Sequence, residues 1–88
     1  MKLNDLFIAD GIIEHYSFEN NILLLLFKDF RGSTYTLKFN GCTSIEESGS
    51  VGFSLCKASS SNNEWTVYDD DGQVLAVSFS SVEITKKS

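Results

Sequence analysis

The chain has 88 residues, 42% of them hydrophobic and 12% aromatic, with 12 acidic against 7 basic side chains and a net charge of −5. A chain of this length makes one domain, residues 1–88, with one core. Its aromatic and apolar content excludes intrinsic disorder. The acidic balance, with basic residues scattered from Lys2 to Lys87, argues against nucleic acid and against an anionic membrane surface, since both need cations gathered on one face.

In chain order, the first ten residues read two ways. Leu3, Leu6 and Phe7 have helical spacing, and Asn4 or Asp5 suits a cap; an irregular segment covering one end of a sheet fits equally well. No export signal is visible in residues 1–7, so the expected location is the cytoplasm. From Ile12 to Phe18 the pattern alternates, with Ile12, Glu14, Tyr16 and Phe18 on one face and Ile13, His15 and Ser17 on the other. Glu19-Asn20-Asn21 suits a hairpin turn because Asn tolerates positive φ.

Ile22 to Lys28 is the most apolar stretch, far too short to span a bilayer. Leu23, Leu25 and Phe27 occupy one face, and Ile22, Leu24 and Leu26 the other. A strand that is apolar on both sides is covered on both sides. The N-terminal Leu3, Leu6, Phe7 and Ile8 form the only uncommitted apolar piece for internal cover, and a second copy of the chain is the alternative. Asp29-Phe30-Arg31-Gly32 is a turn with Gly32 at the positive-φ position. Ser33 to Phe39 alternates cleanly, with Tyr35, Leu37 and Phe39 inward, and Asn40-Gly41 ends it with a hairpin signal.

Cys42 to Glu46 continues as a short strand, and Glu47-Ser48-Gly49-Ser50 is a loop. Val51 to Lys57 alternates with Val51, Phe53 and Leu55 inward. Ala58 to Asn63 is polar and reads as an exposed loop. Glu64 to Tyr68 is a strand with the only Trp, followed by the tight turn Asp69-Asp70-Asp71-Gly72. In the run Gln73 to Ile84, the apolar parity changes at Ser80-Ser81, which predicts a bulge or strand break. The whole predicts an all-β or nearly all-β fold: an antiparallel meander of six or seven strands forming a rolled sheet, small barrel or sandwich, with at most one short N-terminal helix.

No residue pattern supports catalysis. His15 is the only histidine, and no Gly-x-Ser-x-Gly or phosphate loop accompanies it. Aligned on Gly72, the acidic turn puts Val67 and Ser78 where a calcium loop needs ligands. Glu46 and Glu47 are adjacent on a strand and point apart, so they cannot flank one substrate. Cys42 and Cys56 lack the paired spacing of a zinc site and read as reduced, buried, small apolar residues. No cofactor or metal is expected. Phe30 differs, because an aromatic at a turn tip is a common interface anchor.

The string Leu23-x-Leu25-x-Phe27-x-Asp29-Phe30-x-Gly32, then Tyr35-x-Leu37-x-Phe39-x-Gly41, resembles a group of small bacterial β domains, some of them immunity proteins of bacterial toxin systems. The resemblance covers residues 22–41 and implies a β fold and a protein partner, but no catalytic residues. The expected function is a non-enzymatic protein-binding module, immunity-like, whose acidic charge occludes a basic site on its partner. Two alternatives stand beside it, a structural homo-oligomer and a small-ligand carrier using a barrel interior. The candidate interface residues are Ile22, Leu24, Leu26 and Phe30, with a homodimer as one form of the partner.

Overall fold

The computed structural model describes residues 1–87. Eight antiparallel strands follow one 3-10 turn at Leu3–Asp5: β1 (Ile12–Glu19), β2 (Ile22–Lys28), β3 (Thr34–Asn40), β4 (Ser44–Glu47), β5 (Lys57–Ser61), β6 (Glu64–Asp69), β7 (Gly72–Ser78) and β8 (Ser81–Lys87). They form two four-stranded sheets, in the order β1-β2-β3-β8 and β4-β7-β6-β5. The fold is therefore all-β and a two-sheet sandwich, with no closed barrel.

The strands do not run as one meander. β1, β2 and β3 do, joined by turns whose residues explain them. Asn20 (φ 53°) and Asn21 (φ 62°) both take positive φ, the requirement of a two-residue hairpin turn matched to strand twist. After β3 the chain leaves the sheet. Gly41 also has positive φ, yet Asn40-Gly41 makes a corner instead of a hairpin. β3 becomes β4 across residues 41–43, and β7 becomes β8 across residues 79–80. Asn40 pairs with Ser81 on one side of this corner and Ser44 with Ser78 on the other. The bonds Ser80 N–H to Asn40 O (2.8 Å) and Thr43 N–H to Ser78 O (2.9 Å) carry the ladder around it. One two-stranded ribbon thus folds over and contributes to both sheets. Three residues on one limb face two on the other, and that inequality is the parity change the sequence shows at Ser80-Ser81.

The core lies between the sheets and includes Leu23, Leu25, Phe27, Leu37, Phe39, Trp65, Val67, Leu75 and Val77, each at most 2% exposed. Phe39 stacks on Trp65 with centroids 5.6 Å apart, so the two sheets touch through aromatic rings. These side chains fill the interior that a small-ligand carrier would use.

Several elements differ from the sequence expectation. A bulge between Ile13 and His15 puts Ile13 on the inner face with Tyr16 and Phe18, so strict alternation misassigned the start of β1. Val51 to Cys56 is not an alternating strand. It hooks onto the start of β1 through Gly52 N–H to Ile13 O and Leu55 N–H to Gly11 O, both 2.9 Å. Leu55 is buried there, but Val51 and Phe53 are exposed, Phe53 at 64%. The expected Ser/Asn loop is in fact β5, an edge strand that pairs with β6 through its backbone. Cys56 is exposed, whereas Cys42 is buried, and both are free thiols.

The N-terminus forms only the 3-10 turn, closed by the Lys2 N–H bond to the Asp5 carboxylate at 2.8 Å. Leu3, Leu6 and Ile8 are buried in the main core, and the Ser60 hydroxyl hydrogen-bonds to the Asn4 side chain, tying the segment to β5. The N-terminal segment therefore does not cover the outer face of β2, and Leu24 stays 42% exposed.

Candidate protein-binding surfaces

The four candidate interface residues fall on two surfaces. Phe30 sits at the tip of the β2–β3 turn, which Asp29 holds rigid. The Asp29 carboxylate is 4% exposed and accepts hydrogen bonds from the backbone of Arg31 (3.0 Å) and Ser33 (2.9 Å). Its other oxygen lies 3.5 Å from the Tyr35 hydroxyl. Two backbone bonds, Asp29 N–H to Ser33 O and Gly32 N–H to Asp29 O, close the loop. Gly32 (φ 86°) supplies the backbone conformation that this closure demands.

The locked turn holds Phe30 52% exposed, against Phe7, which is 54% exposed. Their ring centroids are 4.8 Å apart at 51°. The Arg31 guanidinium lies 5.3 Å from the Phe30 centroid, close enough for cation–π attraction. Phe7 is the member of this knob that sequence reasoning missed. By spacing it reads as cover for β2, and no local pattern marks its contact with a turn 23 residues away.

Cations gather at the same end of the first sheet as the knob. Thr34 pairs with Lys28 on one side and Lys87 on the other, and Arg31, Lys86 and Lys87 line a shallow groove with Gly32, Ser33 and Thr34. Lys28, Arg31, Lys86 and Lys87, scattered in sequence, are gathered by the fold at one end of the first sheet.

Ile22, Leu24 and Leu26 form the second surface, a stripe along the outer face of β2. The strand register sets their neighbours: Glu19, Ser17 and His15 on β1, and Asn40, Lys38 and Thr36 on β3. Ile22 and Leu26 are half-buried between these side chains, and Leu24 is the most exposed of the three.

The remaining candidates have local roles. The Glu47 carboxylate accepts bonds from the Ser50 backbone at 2.8 Å and from the Tyr16 hydroxyl at 3.3 Å, which ties β4 to β1. The Ser50 bond leads in holding its pKa below the ordinary glutamate value. Burial, with Glu47 second, pushes the Tyr16 phenol up. The Asp69 carboxylate turns back to the Asp71 N–H at 2.7 Å and caps its own hairpin. The exposed Cys56 thiol donates to the Asp70 carboxylate at 2.8 Å, a bond that raises its pKa. His15 lies exposed on the outer face of the first sheet, in the row with Leu26. Among the described residues, no cluster of three or more His, Cys, Asp or Glu is placed to hold a metal ion, and no helix is long and apolar enough to cross a membrane.

No known protein family, no curated protein and no solved structure matches this chain.

Proposed function

We propose that this protein is a non-enzymatic module that binds another protein through the aromatic knob at the β2–β3 turn. The observation that carries this reading is the half-exposed Phe7–Phe30 pair, capped by Arg31 and held on a turn that Asp29 has already ordered. Aromatic and arginine side chains dominate interface hot spots, and a pre-ordered turn avoids much of the entropy cost of docking. The immunity-like form of the proposal rests on the resemblance over residues 22–41, the segment that holds this turn.

The expected charge of the partner changes with the fold. Around the knob the protein is basic, while Asp69, Asp70, Asp71, Glu46 and Glu47 lie on the second sheet and its turns. A partner seated on the knob therefore presents carboxylates or carbonyl oxygens at its rim. The acidic side is the part suited to masking a basic site.

The test is co-elution with the product of the neighbouring gene, comparing wild type with Phe30→Ser and Arg31→Glu. The reading expects a complex with wild type that both variants weaken at least tenfold, a loss of about 1.4 kcal/mol. A complex retained in full by both variants overturns it. The structural homo-oligomer is a second reading, favoured by the separate apolar stripe on β2.

A further inference from the structure

We infer that the outer face of the first sheet is the contact surface of a two-fold homodimer, with β2 packed along its own copy and β1 of each chain over β3 of the other. This surface is distinct from the knob and does not depend on it.

The stripe needs an occupant. Ile22, Leu24 and Leu26 lie in line on an open sheet face, and the one chain segment free to cover them is committed to the core. Its two flanks differ in charge. On the β1 side stand His15, Ser17 and Glu19. On the β3 side Lys38 lies directly beside Leu24. Lys38 is available: the neighbouring Glu83 accepts a bond from the Asn40 amide at 2.9 Å, and among the described residues neither Lys38 nor Glu19 makes an ion pair.

Identical faces can stack about a two-fold axis in the interface plane in two principal ways. With the axis across the strands, Lys38 meets the partner's Lys38, a like-charge contact. With the axis along β2, Leu24 meets the partner's Leu24, and Lys38 lies over the partner's Ser17, one row from the partner's Glu19. Rows are about 6.6 Å apart along a strand, within reach of a lysine and a glutamate, and the small Ser17 leaves room for the lysine stem. Charge complementarity therefore selects the second arrangement. In this arrangement three strands of each face overlap, and at about 4.8 Å apart and seven residues long they cover roughly 300–350 Å² in projection, so the accessible area buried falls at the small, weak end of protein interfaces. The expected dimer is correspondingly weak: formed at about 100 µM and dissociated near 1 µM.

Sedimentation equilibrium tests this. Wild type at 100 µM is expected at twice the chain mass and Leu24→Glu at the chain mass, with an unchanged β circular dichroism spectrum. Because Leu24 is a surface residue, this variant folds. Glu19→Lys and Lys38→Glu are each expected to weaken association at least tenfold, and the double variant to restore most of the loss. Phe30→Ser is expected to leave the dimer intact, which separates this inference from the knob reading. A monomeric wild type at 100 µM, a dimeric Leu24→Glu, or a double charge variant no better than the singles overturns the inference.

Discussion

Leu24 and Leu25 are chain neighbours with opposite roles, and truncating each to alanine gives a quantitative test of the core. Leu25 is 1% exposed and sits between Tyr16 and Leu37 on the inner face, whereas Leu24 is 42% exposed on the outer face. Leu25→Ala removes about 80–100 Å² of buried apolar surface, worth roughly 2–2.5 kcal/mol at about 25 cal/mol per Å². An incompletely collapsed cavity of about 40–60 Å³ adds roughly 1–1.5 kcal/mol. The expected loss is therefore about 3–4 kcal/mol, a third or more of the whole for a domain with about 5–10 kcal/mol. Leu24→Ala, measured at 1 µM, below the concentration at which self-association is expected, should cost under about 1 kcal/mol. Urea unfolding followed by fluorescence of Trp65, the only tryptophan and 1% exposed, reads both variants. A Leu25→Ala loss below about 0.5 kcal/mol, or equal losses at the two positions, would refute the assignment of faces.

Gly11 lies against the Phe27 ring, and a Cβ added there would sit 2.5 Å from Phe27 Cζ; Gly11→Ala is expected to cost about 1–3 kcal/mol in thermal unfolding, and a neutral result would mean that the ring has room to move. Asp29→Ala removes the acceptor of three hydrogen bonds at the β2–β3 turn and should cost about 1–3 kcal/mol, with proteolysis at the turn rising in parallel; an unchanged digestion pattern counts against a rigid knob. Glu47 has a depressed pKa in the folded protein, so its stabilisation is present above the ordinary glutamate value of about 4.3 and is lost as pH falls through the lower folded value. Glu47→Gln should lower Tm at pH 7 and converge with wild type in acid, and parallel Tm–pH curves would be the contrary result. Of the two thiols, only Cys56 should react with a thiol reagent in the native protein, and Asp70→Asn should speed it by removing the bond that raises its pKa; an equal rate in the two proteins would discount the Asp70 contact.

The first half of the fold was legible because its signals are local. β2 and β3 alternate without interruption, and their turns carry Asn20-Asn21 and Gly32 at the positions that need positive φ. β5 was not legible: Lys57-Ala58-Ser59-Ser60-Ser61 brings almost no apolar surface and is a strand because β6 offers it a backbone edge. The Val51 to Cys56 segment has the alternation of a strand, but its partner is the start of β1, which allows two isolated bridges and no ladder. The Asn40-Gly41 signal predicted a reversal at the right place but not its destination, because that depends on the pairing of β4 with β7, more than thirty residues away. At the candidate surfaces, alternation put Ile22, Leu24 and Leu26 together on one face. What covers the β2 stripe depended on where Leu3, Leu6 and Ile8 pack, a long-range outcome invisible to periodicity. The same holds for the knob, whose second ring and surrounding cations come from distant parts of the chain.

The most direct test of the account is a dilution series followed by backbone amide NMR, from about 500 µM to about 5 µM, which spans the range of a weak interface. Concentration-dependent shifts are expected along one face: His15, Ser17 and Glu19 on β1, the length of β2, and Thr36 and Lys38 on β3, with Phe7, Phe30 and the second sheet unmoved. A spectrum that does not change with concentration, or changes centred on β5 and β6, would contradict the claim that the open face of the first sheet is where this protein meets its own copy.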